Sequence, residues 1–176
     1  MQNPEFAKFS HSSKKQRRLL WKAALKLPIY SVSIMPVLIA IGWSTGEGLV
    51  IKWDQVIIFL FGAIILLLWE NLSNDIFDSE TGVDEGNKPH SIVSLIGNKY
   101  FVSLMATGSL LIGLVLIIFI SLKSSFNVFF LVLSSCLLGY LYQGPPFRLG
   151  YKGLGEPLCW IAFGPLATAA ALIAIS

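Results

Sequence analysis

Long apolar runs separated by short polar connections are the dominant pattern of this 176-residue chain. No segment sustains the alternation of apolar and polar residues that a barrel strand needs, so helices are the expected spanning element. Five runs approach the roughly 20 residues that a helix needs to cross a bilayer. They cover about residues 23–42, 55–71, 100–122, 126–142 and 157–176. The pattern predicts an all-α, polytopic transmembrane helix bundle.

The composition supports a membrane protein. Hydrophobic residues make up 55% of the chain and charged residues 13%, which excludes an ordinary soluble domain. Seven of the thirteen basic residues fall within the first 26 positions. Beside a membrane span, such a basic arm (residues 1–22) contacts anionic lipid heads and fixes topology, so the lipid bilayer and not nucleic acid is the expected partner. The membrane domain is predicted to cover residues 23–176.

The distribution of basic residues predicts which side of the bilayer each connection faces. With the N-terminus inside, the inside segments carry eleven Lys and Arg residues, and the outside connections carry only Lys52 and Lys123. This asymmetry predicts a cytoplasmic N-terminus in an integral, multi-pass protein of the plasma or thylakoid membrane. Loops 72–99 and 143–156 would then face the same side and could build one site.

The acidic loop 72–99 and Asn71 just before it are the first candidate site. Five of the ten acidic residues of the chain lie in this loop. Asn71, the pair Asn74 and Asp75, and Asp78 are spaced by three or four residues, so a helix continuing from the second span would carry them on one face. Mg²⁺ is usually bound by a few carboxylates together with substrate phosphate. The spacing therefore favours a magnesium and phosphate site.

The rest of this loop extends the same interpretation. Gly82 permits a sharp turn that would return Asp84 to the site, and Lys88 would suit phosphate oxygens. A solvated connection between helices remains the alternative, because acidic residues, glycine and proline are ordinary there. The oxygen-bearing residues do not alternate as in an EF-hand. Glu70, beside the second span, is interpreted as an interfacial residue.

The Gly/Pro loop 143–156 is the second candidate site. Gly144-Pro145-Pro146 would end the fourth span abruptly, and the glycines that follow allow close backbone approach. Arg148 and Lys152 place two cations opposite the acidic loop. A tight connector with ordinary inside charges is the alternative.

Together, the two loops resemble the UbiA superfamily of intramembrane aromatic prenyltransferases. Asn74-Asp75-Ile76-Phe77-Asp78 is similar to the family's first aspartate-rich motif, Asn-Asp-x-x-Asp. Gly82 followed by Asp84 resembles the 1,4-dihydroxy-2-naphthoate branch, which serves menaquinone and phylloquinone biosynthesis. The strings 142–149 and 151–156 resemble the same branch. Residues 74–98 and 144–157 look closest to its cyanobacterial and plastid form, which attaches a phytyl chain.

The resemblance implies a reaction and a role for each candidate residue. A prenyl group, phytyl in this form, would pass from its diphosphate to 1,4-dihydroxy-2-naphthoate with loss of the carboxylate as CO₂. The implied Mg²⁺ ligands are Asn74, Asp75, Asp78 and Asp84, of which the three aspartates are the catalytic candidates. The implied diphosphate-binding residues are Lys88, Arg148 and Lys152. The implied substrate pocket contains Asn71, Tyr142 and Phe147.

One departure from the family pattern limits what the resemblance implies. Family members have about nine transmembrane helices and a second aspartate-rich motif, whereas five spans and no second motif are present in this sequence. The expectation is an N-terminal half whose C-terminal half is missing. Two alternatives stay open: an inactive fragment, and a non-enzymatic membrane protein for cation binding or assembly. A phospholipid-type alcohol transferase is disfavoured because its Asp-Gly-x-x-Ala-Arg string is absent.

Overall fold

The computed structural model of the protein describes residues 13–81 and 91–176. Within those ranges the chain is mainly helical and contains no strand, which confirms the all-α prediction. The α-helices are α1 Lys14–Leu25, α2 Ser31–Gly46, α3 Trp53–Thr81, α4 Ile92–Ile96, α5 Lys99–Lys123, α6 Phe126–Gln143, α7 Gly155–Ile161 and α8 Ala167–Ile175. Two 3₁₀ turns, Leu27–Tyr30 and Leu149–Lys152, and one π-helical turn, Ala162–Leu166, connect some of them.

Short polar residues begin the helices that the hydrophobic pattern predicts. Asn98 accepts a hydrogen bond from the Phe101 N–H at 3.0 Å, and Ser125 accepts one from the Asn127 N–H at 3.3 Å. Such side chains satisfy backbone N–H groups that have no partner within the helix. Helices α5 and α6 consequently begin within one residue of their predicted starts.

Five helical segments of the described residues are long and apolar enough to cross a membrane, as predicted. They are Lys14–Gly46, Trp53–Thr81, Lys99–Lys123, Phe126–Gln143 and Gly155–Ile175. Large apolar side chains such as Ile57, Leu104 and Val115 are exposed on the outside of the bundle. An apolar outer surface is what a lipid environment requires of a membrane-spanning protein.

The first of these segments is interrupted near its N-terminal end. Lys26 has a left-handed backbone conformation with φ of 47°, which ends α1, and Pro28 occupies the first turn of the 3₁₀ segment that follows. The interruption lies next to Pro28, whose ring fixes φ and removes a backbone donor. The last part of the predicted basic arm is helical, because α1 begins at Lys14.

Helix α3 continues beyond the predicted end of the second span and carries the aspartate-rich residues 74–78, called here the acidic motif. It has 29 residues, which is roughly 44 Å at 1.5 Å per residue and exceeds the ~30 Å hydrocarbon core of a bilayer. The span predicted to end at Asn71 therefore continues as helix to Thr81. Asn71, Asn74, Asp75 and Asp78 lie on this helix, as the three- and four-residue spacing predicts.

Two regions of close packing fix the position of α3. A Cβ atom added to Gly113 on α5 would lie 2.6 Å from the Leu66 side chain, so any other residue there would force Leu66 to move. Near the acidic motif, a separate apolar cluster packs Leu72 and Ile76 of α3 against Ile92 and Leu95 of α4. Helix α3 is thus packed against α5 near Leu66 and against α4 near the acidic motif.

Candidate functional site

Asp78 connects the two segments that the sequence identified as candidate sites. Its side chain is buried, with the residue 1% exposed. The Gln143 Nε2 group donates a hydrogen bond to Asp78 Oδ1 at 3.3 Å, and the Tyr151 hydroxyl donates a second, short one to the same oxygen. The acidic motif and the Gly/Pro loop therefore meet at one end of the bundle. Their placement on one side of the membrane remains a prediction.

Asp75 is buried one helical turn away and has different partners. Its Oδ2 atom accepts a hydrogen bond from the Ile92 backbone N–H at 2.7 Å, which ties α3 to the start of α4. Its Oδ1 atom lies 3.4 Å from Lys26 Nζ, and the two side chains are 4% and 37% exposed. Asp75 thus contacts one fixed backbone donor and one flexible cation.

A cavity of about 260 Å³ opens beside Asp78. It is lined by polar residues at the motif end and by apolar residues deeper in the bundle. The lining comprises Lys26, Ile29, Leu67, Glu70, Asn71, Asn74, Asp78, Tyr142, Gln143, Cys159 and Phe163. Two predicted motif residues, Asn74 and Asp78, and two predicted pocket residues, Asn71 and Tyr142, are therefore brought together around one space.

Two groups lining this cavity lack hydrogen-bond partners among the described residues. Both side-chain atoms of Asn71 are unsatisfied although the residue is only 2% exposed, and the Gln143 Oε1 atom is also buried and unsatisfied. The Tyr30 hydroxyl is the polar neighbour of Asn71 but forms no well-directed hydrogen bond with it. Each unsatisfied buried group costs about 1–3 kcal/mol, so a polar ligand or water in the cavity would stabilise this site.

The donor set is compatible with Mg²⁺ bound together with phosphate. Asp78, Asn74 and Asn71 all line the cavity and present oxygen atoms, the ligand type that Mg²⁺ prefers. No group of three or more His, Cys, Asp or Glu residues that could hold a metal occurs within residues 13–81 and 91–176. Two of the predicted residues, Asp84 and Lys88, lie outside these ranges. An ion here would rely on phosphate and water oxygens for the rest of its coordination.

Of the cations predicted to bind diphosphate, Arg148 lies beside Glu80, together with Lys99, which was not predicted for the site. Lys99 Nζ lies 2.7 Å from Glu80 Oε1, and Arg148 Nη2 lies 4.0 Å from Glu80 Oε2. Arg148 has a left-handed backbone with φ of 45° at the start of the second 3₁₀ turn. Lys152 ends the same turn and is exposed. Neither residue lines the 260 Å³ cavity.

Lys26 is the cation that the sequence analysis did not assign to the site. It was counted only among the basic residues that fix topology, yet its side chain lines the cavity and pairs with Asp75. The available signal was its position directly before Leu27-Pro28, where a helix break can turn a side chain back toward the bundle. The pairing itself joins residues 49 positions apart, which no local pattern reveals.

Tyr142 is held against the cavity by two glycines of the Gly/Pro loop. An added Cβ would lie 2.7 Å from Tyr142 Cε2 at Gly155 and 3.0 Å from the Tyr142 carbonyl oxygen at Gly150. The close approach predicted for these glycines is therefore present. Phe147, the other predicted aromatic pocket residue, is 48% exposed and lies outside the cavity lining.

Glu70, interpreted from the sequence as an interfacial residue, faces the inside of the bundle. Its side chain lines the 260 Å³ cavity and also a second, mainly apolar cavity of about 70 Å³. Trp69, Phe59 and Phe163 contribute to the walls of the second cavity. A carboxylate at the junction of two cavities is a further candidate site residue.

Comparisons with known proteins agree with the motifs and the helices. The chain is 47% identical over 157 residues to the 2-carboxy-1,4-naphthoquinone phytyltransferase of Synechocystis sp., which covers 88% of this chain and 50% of that protein. It is 41% identical over 154 residues to the chloroplastic 2-carboxy-1,4-naphthoquinone phytyltransferase of Arabidopsis thaliana, covering 87% of this chain and 40% of that protein. The chain thus spans about half or less of the length of these relatives.

No solved structure matches the chain. Residues 33–176, which contain α3, the two candidate segments and most of the residues that line the cavity, match the sequence pattern of the UbiA prenyltransferases. The chain therefore belongs to the UbiA prenyltransferase family.

Proposed function

We propose that this chain forms part of a membrane enzyme that transfers a phytyl group from its diphosphate to 1,4-dihydroxy-2-naphthoate, in phylloquinone or menaquinone biosynthesis. The observation that carries the proposal is the 260 Å³ cavity, where Asp78, Asn74, Asn71 and Lys26 converge above an apolar interior. Such a cavity suits a donor with a polyanionic head and an apolar chain. The names of both relatives support the phytyl group and a carboxylated naphthoquinone ring.

The motif end of the cavity would bind the diphosphate. Asn74, Asp75, Asp78 and Asp84 would hold Mg²⁺, which when bound neutralises charge on the diphosphate and improves it as a leaving group. Lys26 lines the cavity and can contact diphosphate oxygens after exchanging its contact with Asp75. Lys88, Arg148 and Lys152 would take charge that develops on the leaving oxygens.

The partners of Asp78 also support a role for the Gly/Pro loop in binding. Gln143 and Tyr151 both donate hydrogen bonds to the carboxylate oxygen Oδ1. A ligand that occupies this oxygen would compete with them, so Gln143 and Tyr151 become available as donors to diphosphate. This exchange would couple the arrival of the donor substrate to the position of residues 143–152.

The apolar part of the bundle would protect the reaction from water. Cleavage of the bond between the allylic carbon and oxygen leaves the electron pair on diphosphate, and a ring carbon then supplies the pair for the new carbon–carbon bond. The ring must be electron-rich for this step, so the dihydroxy form and not the quinone is the expected acceptor. Loss of CO₂ restores the aromatic ring. Tyr142, which lines the cavity, is the aromatic candidate to shield positive charge on the prenyl group.

The proposed orientation places this site on the cytoplasmic or stromal side. The eleven-to-two partition of basic residues supports it, and the contact between Asp78 and Tyr151 supports a shared side for the acidic motif and the Gly/Pro loop. Single cysteines at Ser79 and Gly150, introduced with Cys136 and Cys159 replaced by Ala, should both react with an impermeant maleimide only after the membrane is opened. Reaction from opposite sides would contradict the shared site.

The activity is tested best in a chimera, because the chain spans only part of its relatives. The matched segment of the Synechocystis relative is replaced by this chain, and the product of phytyl diphosphate and 1,4-dihydroxy-2-naphthoate is measured by mass spectrometry with and without Mg²⁺. We expect magnesium-dependent formation of 2-phytyl-1,4-naphthoquinone after air oxidation. A correctly folded chimera that binds phytyl diphosphate but transfers it to no naphthalene acceptor would contradict the proposal.

A further inference from the structure

Glu70 is a carboxylate without a counter-group inside the helix bundle. Among the described residues it forms no ion pair and accepts no hydrogen bond. Its surroundings in the second cavity are apolar and aromatic, including Leu66, Trp69 and Phe163. A charged group in such a place is costly, so its presence points to a partner that arrives with a ligand.

Room for this carboxylate is provided by a glycine on the facing helix. A Cβ atom added to Gly139 of α6 would lie 2.7 Å from Glu70 Oε1 and 3.0 Å from its Cδ. A larger residue at position 139 would push the carboxylate from its present position. Glu70 and Gly139 thus fit each other as a pair between α3 and α6.

The position of Glu70 along α3 relates it to the proposed diphosphate site. It precedes Asn74 by one turn and Asp78 by two, which are roughly 6 Å and 12 Å along the helix axis. A prenyl diphosphate with its head at Asn74 and Asp78 would extend its allylic carbon toward the level of Glu70. The acceptor ring must approach that carbon, so its hydroxyl groups would come within reach of this carboxylate.

A second polar group at the same level lacks a partner. Asn71 follows Glu70, lines the same cavity and has both side-chain polar atoms unsatisfied within the described part of the chain. A carboxylate accepts hydrogen bonds, and an amide both donates and accepts them. Together they match a ring that carries a hydroxyl group beside a carboxylate.

We infer that Glu70 binds the prenyl acceptor by accepting a hydrogen bond from a ring hydroxyl, with the Asn71 amide facing the neighbouring ring substituent. This inference rests on the proposed function, because it assumes that the cavity holds a hydroxylated aromatic acceptor. It assigns to Glu70 the selection of the dihydroxy form of the acceptor ring over the quinone form. A quinone ring offers no hydroxyl donor and would leave the Glu70 carboxylate unpaired.

The test compares two ligands in the chimera that contains this chain, purified in detergent under anaerobic reducing conditions. Equilibrium binding is measured for 1,4-dihydroxy-2-naphthoate and for its 1,4-dimethoxy analogue, which has no hydroxyl donor. The unsubstituted chimera should prefer the dihydroxy ligand by about 10- to 100-fold, the range expected for a hydrogen bond to a charged group. Glu70→Ala should reduce this preference to about twofold or less.

Two further variants separate binding from a structural role. Glu70→Gln keeps the shape and one acceptor oxygen, so it should retain part of the preference while unfolding at the same or a higher temperature, because an unpaired charge is removed. Gly139→Ala should displace the unchanged carboxylate and lower the preference to an intermediate value. Glu47→Ala, an exposed carboxylate at the opposite end of the bundle, should alter neither quantity.

The results also distinguish failure of this inference from failure of the proposed function. If the chimera forms the phytylated product but Glu70→Ala keeps the full preference for the dihydroxy ligand, the inference is wrong and the function stands. A Glu70→Ala variant that loses phytyl diphosphate binding while keeping the acceptor preference would overturn it in the same way. If the chimera binds neither ligand and forms no product, the proposed function itself fails.

Discussion

The two ends of helix α3 carry similar residues in opposite surroundings. At the N-terminal end, Asp54 pairs with Lys123 at 3.6 Å, and the two side chains are 63% and 43% exposed. At the C-terminal end, Asp75 and Asp78 are buried and are contacted by residues from α4, α6, the Gly/Pro loop and the segment before α2. Aspartate is therefore exposed at the N-terminal end of α3 and buried near the cavity at the C-terminal end.

This difference in burial indicates which charged residues of α3 are candidates for a functional role. An exposed ion pair contributes about 0–1 kcal/mol to stability, so Asp54 is replaceable at little cost. A buried carboxylate must be matched by donors, and building those donors into distant parts of the chain constrains many positions. Under the proposed function, the C-terminal end of α3 retains such an arrangement because ligand binding requires it.

Substitution of Asp78 should give the largest effect. Asp78→Ala removes the oxygen that Gln143 and Tyr151 contact and a proposed metal ligand, so product formation by the chimera should fall about a hundredfold or more. Asp54→Ala, at the other end of the same helix, should leave the rate within about twofold. Initial rates at saturating substrates measure both. Equal losses in the two variants would remove the distinction between the ends.

Substitution of Lys26 should give the next largest effect. Lys26→Met removes the cation from the cavity and from Asp75, so the KM for phytyl diphosphate should rise about tenfold, the loss expected for one charge-assisted contact. The matched variant Lys123→Met removes an exposed cation and should change the KM by less than twofold. A rise confined to the KM for the naphthoate would place Lys26 at the acceptor instead.

A substitution that crowds the Tyr142 side chain should lower the reaction rate by a smaller factor. Gly155→Ala places a Cβ 2.7 Å from the Tyr142 ring, and the ring must move to relieve the contact. We expect a rate lower by about threefold to tenfold, as for a contact that costs ~1 kcal/mol. Gly108→Ala on α5 meets nothing within 4 Å and should leave the rate unchanged. A normal rate for Gly155→Ala would show that the position of Tyr142 is unimportant.

Glu80 separates the effect of burial from the effect of location, because it lies at the C-terminal end of α3 but is exposed. Its side chain is 41% exposed and contacts Lys99 and Arg148. If burial and not location determines importance, Glu80→Ala should change the rate and the unfolding temperature little, within about twofold and a few degrees. A loss comparable to that of Asp78→Ala would show that the pairing with Arg148 is part of the site.

Much of the fold could be predicted from local features. The third and fourth spans match α5 and α6 closely because a sustained apolar run is bounded by Asn98 and Ser125, whose side chains begin the helices. The end of α3 was set too early at Asn71, since the apolar run stops there. The helix continues because its polar residues are matched by partners elsewhere in the chain, including Ile92 and Tyr151.

Part of the site could also be predicted from local features of the sequence. Three- and four-residue spacing placed Asn71, Asn74 and Asp78 on one helix face, and the structure brings them to one cavity. The contributions of Lys26 and Glu70 could not be predicted, because each depends on contacts across the bundle with Asp75 and Gly139. Metal binding by Asp84 and phosphate binding by Lys88 stay predictions.

The contact between Asp78 and Tyr151 has a consequence for synthesis of the protein in the membrane. Tyr151 follows Asp78 by 73 residues, and ribosomes add roughly 5–20 residues per second. Asp78 is therefore added to the growing chain about 4–15 s before Tyr151. During that interval its carboxylate needs water, so the last turns of α3 must remain outside the hydrocarbon core and can be enclosed only after α6 and the Gly/Pro loop arrive.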